Sequence, residues 1–125
     1  MGRILSAGFW GETLCEVRNN GTVYDGTGLF ANAIGEVDDQ YVYKGTGLFK
    51  EKIGMFDEHG NVYRGTGLFR EKIGRIDAEG NVYAGTGWGE EKVARVEPPF
   101  MRASGAAYLL LCYRVSAAIV LTKIF

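Results

Sequence analysis

The sequence predicts an all-β protein with one helix, built as a closed barrel of about five β-hairpin repeats of period 19 to 20 around a hydrophobic C-terminal helix. Three observations predict it. Gly-Thr-Gly occurs four times, beginning at Gly26, Gly45, Gly65 and Gly85, at spacings of 19, 20 and 20, and self-similarity at a fixed period marks a repeat architecture. Each period holds two short runs of Val, Ile and Tyr around a Gly-containing turn, and no segment before residue 100 sustains the apolar period of a helix. After Pro98-Pro99 the chain turns into a long apolar run, 103–122, that reads as helix.

The unit reads Lys-Ile-Gly-x-apolar-Asp-x-x-Gly-Asn-Val-Tyr-x-Gly-Thr-Gly-Leu-Phe-x-Glu and is cleanest from Lys52 to Glu71 and from Lys72 to Glu91. Within it Ile73-Gly74-Arg75-Ile76-Asp77 meets Asn81-Val82-Tyr83 across Ala78-Glu79-Gly80, a β-hairpin. Gly80, like Gly60 and Gly21, stands where a three-residue loop on a type I turn needs a positive φ to form its bulge. The copy beginning at Ala33 loses one turn residue at Asp39-Gln40-Tyr41, hence its spacing of 19.

The two ends complete each other. Gly2-Arg3-Ile4-Leu5-Ser6 resembles a second strand and Val93-Ala94-Arg95-Val96-Glu97 a first strand without a second. Their pairing makes a fifth hairpin and closes residues 1–97 into a ring of ten strands with no open edge. Ten strands about 4.8 Å apart, tilted near 40°, close at a backbone radius of roughly 10 Å, which leaves room for a helix. The small column Cys15, Gly35, Gly54, Gly74 and Ala94 makes that room, so residues 100–125 are expected to thread the ring and the whole of 1–125 to be one domain. A helix of about 20 residues is also long enough to cross a bilayer, so a tail anchor is the competing reading, opposed by the mid-helix Arg114.

Composition narrows the function. Fourteen basic and fifteen acidic residues give a net charge of −1, which disfavours nucleic acid as partner. The start lacks the apolar stretch of a secretory signal, so the chain is read as cytoplasmic, with Cys15 and Cys112 as reduced thiols. Gly-Thr-Gly is followed by a strand, not a helix, so it is no phosphate loop. His59 sits in a turn without a nucleophile beside it in sequence, and no catalytic, metal or cofactor constellation can be assembled; the chain is read as no enzyme, with no cofactor. Asp38, Asp57, Asp77 and Glu97 recur at hairpin turns, where Asp accepts backbone N–H groups.

The repeat Ile73 to Tyr83 resembles the hairpin repeat of bacterial β-flower proteins, shallow symmetric barrels of hairpin petals. A barrel around an apolar C-terminal helix is in turn similar to the Tubby C-terminal domain and its phospholipid-scramblase relatives. That second resemblance implies phosphoinositide or membrane-surface binding through a basic pocket, although the sequence shows no matching basic cluster.

The candidate rim follows from the repeat. Lys52, Lys72 and Lys92, each after a glutamate, form a solvated rim of mixed sign. Tyr24, Tyr43, Tyr63 and Tyr83 with Phe30, Phe49, Phe69 and Trp88 form an aromatic stripe, expected mostly to pack between petals, although such stripes also build choline and sugar slots. The leading expectation is a non-catalytic binding or scaffolding module for a membrane surface or protein partner, monomeric or weakly oligomeric. A tail-anchored protein and an aromatic-slot carbohydrate or choline binder are the alternatives.

Overall fold

The computed structural model describes residues 2–6, 13–26 and 31–113. Ten antiparallel strands close into a barrel: β1 (Gly2–Ser6), β2 (Thr13–Val17), β3 (Thr22–Tyr24), β4 (Ala33–Val37), β5 (Tyr41–Lys44), β6 (Glu51–Phe56), β7 (Asn61–Arg64), β8 (Glu71–Ile76), β9 (Asn81–Ala84) and β10 (Glu91–Val96). Consecutive strands pair around the ring, and β1 pairs with β10 through Ile4–Val96, Leu5–Arg95 and Ser6–Ala94. The petals are therefore β2–β3, β4–β5, β6–β7, β8–β9 and β10–β1, as the sequence predicts.

Each turn is built as its residues require. Gly60 has φ 87° and its N–H reaches the Asp57 carbonyl at 3.1 Å, while Asp57 N–H donates to Asn61 at 3.0 Å. A side chain cannot stand there, because a Cβ on Gly60 would lie 2.2 Å from the Ile76 carbonyl oxygen of the next petal. Between petals a single 3-10 turn precedes the next strand: Gly47–Phe49, Gly67–Phe69 and Gly87–Gly89.

Strand alternation sends Ile4, Val23, Val42, Val62 and Val82 into the barrel, all fully buried, with Val17, Val37, Phe56, Ile76 and Val96 closing the core toward the hairpin turns. The centre is occupied by α1 (Met101–Ala107), which packs against β1, β2, β4, β5, β6, β8 and β10 and so lies inside the ring. It continues as a π-helical turn, Tyr108–Cys112, in which Tyr113 N–H bonds the Tyr108 carbonyl five residues back. The helix is described as far as Tyr113; the remainder of the expected run, with Arg114, Lys123 and the rest of 114–125, lies outside the described residues.

The π turn matches the barrel's symmetry. Leu109, Leu110 and Leu111 lay their δ-carbons on Gly74 of β8, Gly54 of β6 and Gly35 of β4, where a Cβ would come within 2.8, 2.6 and 2.6 Å of them. The next residue, Cys112, stands beside Cys15 of β2. Successive helix residues therefore address successive petals, which stand about 72° apart in a five-petal ring. An α-helix steps 100° per residue and a π turn roughly 80°, so over three steps the mismatch falls from roughly 80° to roughly 30°. The helix widens where its side chains must fall into step with the petals.

Candidate functional site

The two ends of the barrel differ. At one lie the hairpin turns; at the other lie the Gly-Thr-Gly loops that lead from petal to petal. In each described loop both glycines are left-handed, with φ 79° and 73° at Gly45 and Gly47 and 77° and 84° at Gly65 and Gly67. This backbone lifts the following residues off the barrel wall. Leu48, Phe49, Leu68, Phe69 and Trp88 are each at least 95% exposed. Phe49, Phe69 and Trp88 therefore do not pack between petals as their spacing suggested; Phe30 of the same stripe lies outside the described residues.

Ion pairs fix two of these loops to the wall below them. Glu36 accepts Gly47 N–H at 2.8 Å and Lys50 Nζ at 3.1 Å, and the Gly47 N–H followed by Lys50 holds its carboxyl below the usual range. Two petals on, the polarity is reversed: Arg75 Nη2 meets Glu90 at 2.6 Å, with Arg75 Nε 3.0 and 3.1 Å from the two carboxylate oxygens. In the petal between, Met55 stands on the wall and Arg70 bonds the Gly67 carbonyl at 3.1 Å.

Charge is distributed unequally between the ends. Residues 44–52 and 64–72 each carry three cations and one glutamate, whereas the turns 38–40, 57–60 and 77–80 each carry two carboxylates and no lysine or arginine. The rim of Lys52, Lys72 and Lys92 is exposed, and Lys44, Lys50, Arg64 and Arg70 add to it, so on two petals it is basic where mixed sign was expected. Lys52 also lies over the Tyr41 ring at 3.6 Å.

The tyrosines are not on this rim. Tyr43, Tyr63 and Tyr83 are half-buried on the outer wall and their hydroxyls donate to Asp38, Asp57 and Asp77 at 3.1, 3.3 and 3.5 Å. A cation lies over each ring: Lys50 over Tyr43 at 4.5 Å, Arg70 over Tyr63 at 4.9 Å and Arg75 over Tyr83 at 4.2 Å. The hydroxyl and one ring face of each of these three tyrosines are thus already engaged.

The turn carboxylates work as expected from their position. Asp57 Oδ1 accepts His59 and Asn61 N–H at 3.0 and 2.9 Å, and Asp77 Oδ1 accepts Glu79 and Asn81 N–H at 3.0 and 2.9 Å. Partial burial pushes both carboxyls up, but the Asn side chain and the backbone donors together outweigh it and leave them below the ordinary range. In the core, the interaction of the neutral Cys15 thiol with Cys112 and then burial push that thiol far up.

Among the described residues no cluster of His, Cys, Asp or Glu could hold a metal ion, and no helix is long and apolar enough to cross a membrane. Residues 103–113 of the run counted in the anchor reading pack within the barrel, with 104–110 buried. No family model, curated protein or solved structure matches this chain.

Aromatic spacing alone does not single out Leu48 and Leu68 or separate projecting rings from packed ones. The signal that finds the Leu-Phe pairs is the pair of glycines two apart before each, which frees the following residues from the alternation of the strands. The charge reversal between Glu36–Lys50 and Arg75–Glu90 was also visible as covariation within the repeat.

Proposed function

We propose that the chain is a non-catalytic module that docks on the surface of an anionic bilayer, on its cytoplasmic face, with the Gly-Thr-Gly loop end down. The observation that carries this reading is the set of five fully exposed large apolar side chains, Leu48, Phe49, Leu68, Phe69 and Trp88, at one end of three consecutive petals. Burying such side chains is worth about 1.5–3 kcal/mol each, and soluble surfaces seldom leave them out in repeated sets. Aromatic rings suit the headgroup level of a bilayer, and the cations at 44–52 and 64–72 suit anionic headgroups. The acidic turns at the far end favour the same orientation.

The architecture supports the resemblance to β-flower barrels and to the Tubby group only as hairpin petals around a helix. The membrane reading rests on the loops of this chain, which lie on the rim and not in a basic pocket. The test is flotation of the full-length protein with phosphatidylcholine vesicles, with and without 30% phosphatidylserine. Anionic vesicles are expected to carry the protein and to blue-shift Trp88 emission, and Phe49→Ser/Phe69→Ser/Trp88→Ser to abolish flotation. Failure of the wild type to float, or undiminished flotation of the triple variant, overturns the proposal.

A further inference from the structure

The opposite mouth holds a cavity of about 840 Å³, well within the range of small-molecule sites. Its floor is apolar: Val17, Val37, Phe56 and Ile76 from the ends of the first strands, with Met101 and Phe100 from the start of the helix. Phe100 is held at φ 62°, ψ 41°, a left-handed conformation sparsely populated by bulky residues, and is 66% exposed beside the cavity. A core-facing aromatic would be covered; this one lines the open cavity.

The rim is electrically one-sided. Asp38, Asp39, Glu58 and Asp77 border the cavity against two arginines, Arg18 and Arg102. Arg18 is already engaged, with Glu16 at 3.3 Å and the Tyr24 ring at 3.8 Å, while Arg102 donates to the Glu58 backbone carbonyl. Asp38 and Asp77 serve the turns, but Asp39 and Glu58 are exposed, and among the described residues neither is within ion-pair distance of a lysine or arginine. Glu58 Oε1 is 3.5 Å from His59 Nε2, and Arg102, bonded to the Glu58 carbonyl, keeps its charge at the rim, so the border carries four carboxylates against two arginines.

We propose that this mouth is a binding site for a small cationic amphiphile, an alkylammonium whose chain lies on Val37, Phe56, Ile76 and Met101 and whose head faces Asp39, Glu58 and the Phe100 ring. An apolar floor alone would take any greasy molecule. The unpaired carboxylates select a cation and the aromatic face adds to that preference. The site lies at the end away from the loops, so it does not depend on the membrane reading.

The experiment is an amide-resolved NMR titration of the full chain with octyltrimethylammonium, octanoate and octyl glucoside, all below micelle formation. Saturable shifts centred on Val37, Phe56, Ile76 and Met101 are expected with the first probe only, weakening as salt is raised. Asp39→Lys/Glu58→Lys, at two exposed turn positions, is expected to keep the melting temperature and to lower affinity for the cation about tenfold or more. Equal binding of all three probes, shifts confined to the loops at 47–49 and 67–69, no saturable binding of octyltrimethylammonium, or unchanged affinity in the double variant each overturns the assignment.

Discussion

Leu110→Ala tests whether the helix is seated on the glycine column. Leu110 is 3% exposed and its δ-carbons lie against Gly54, which has no side chain to follow them inward. Core Leu→Ala changes cost about 2–5 kcal/mol, more where the surroundings cannot collapse, and here one wall of the void is strand backbone. The expected loss is about 4 kcal/mol, a fall in Tm of about 15 °C for a domain of this size. Urea denaturation followed by far-UV circular dichroism measures it. A second change sharpens the test: an alanine at Gly54 would put its Cβ 2.6 Å from Leu110 Cδ1 but also 2.5 Å from the Tyr63 carbonyl oxygen. The leucine can move and the carbonyl cannot. Gly54→Ala should therefore cost about 2 kcal/mol or more by itself, and should not rescue Leu110→Ala. A double variant more stable than Leu110→Ala, or a loss below about 1 kcal/mol for Leu110→Ala, would refute the reasoning.

The remaining expectations concern other links in the structure. Asp57→Ala should cost about 1 kcal/mol at pH 7, since two turn N–H groups lose their acceptor, as urea midpoints would record. Because the folded carboxyls of Asp38, Asp57 and Asp77 lie below their unfolded values, their contribution is present above the unfolded pKa and lost as pH falls through the folded one; stability should decline below about pH 4, less steeply in Asp57→Asn/Asp77→Asn. Phe49→Ser/Phe69→Ser should leave the thermal midpoint within about 2 °C, because neither ring is buried. Cys15 should resist a thiol reagent until denaturant is added, which mass spectrometry of the labelled chain would show. Glu36→Arg should weaken the second petal and Glu36→Arg/Lys50→Glu should restore it, copying Arg75–Glu90; equal melting of single and double variants would refute the pairing.

The hairpins, their turns, the closure of β1 on β10 and the threaded helix were legible because each is a backbone requirement written in residue type. A positive φ calls for Gly60, alternation calls for Val62 and Tyr63, and a close approach calls for Gly54. The loop end was misread because periodic aromatics look alike whether they pack or project. What separates Tyr63 from Phe69 is that one lies in a strand and the other follows two left-handed glycines. The π turn was illegible for a different reason. Nothing local in Tyr108-Leu109-Leu110-Leu111-Cys112 disfavours an α-helix, and the wider turn appears in answer to the five-petal wall around it. The cavity at the turns likewise depends on where the helix starts relative to the strand ends, a relation no single segment records.

A socket with near five-fold symmetry offers a plug five almost equivalent ways to sit, each one petal round from the next. The sequence removes the degeneracy at two places in the column, where Cys15 and Ala94 stand in place of glycine. Three leucines then fit only the three bare petals, and the small Cys112 fits where Cys15 already takes up space. Those two side chains act as the notches of a key: they add little to the volume of the core, yet they set its rotational register. A chain with glycine at all five positions would keep its barrel while losing the single angle at which the helix is held.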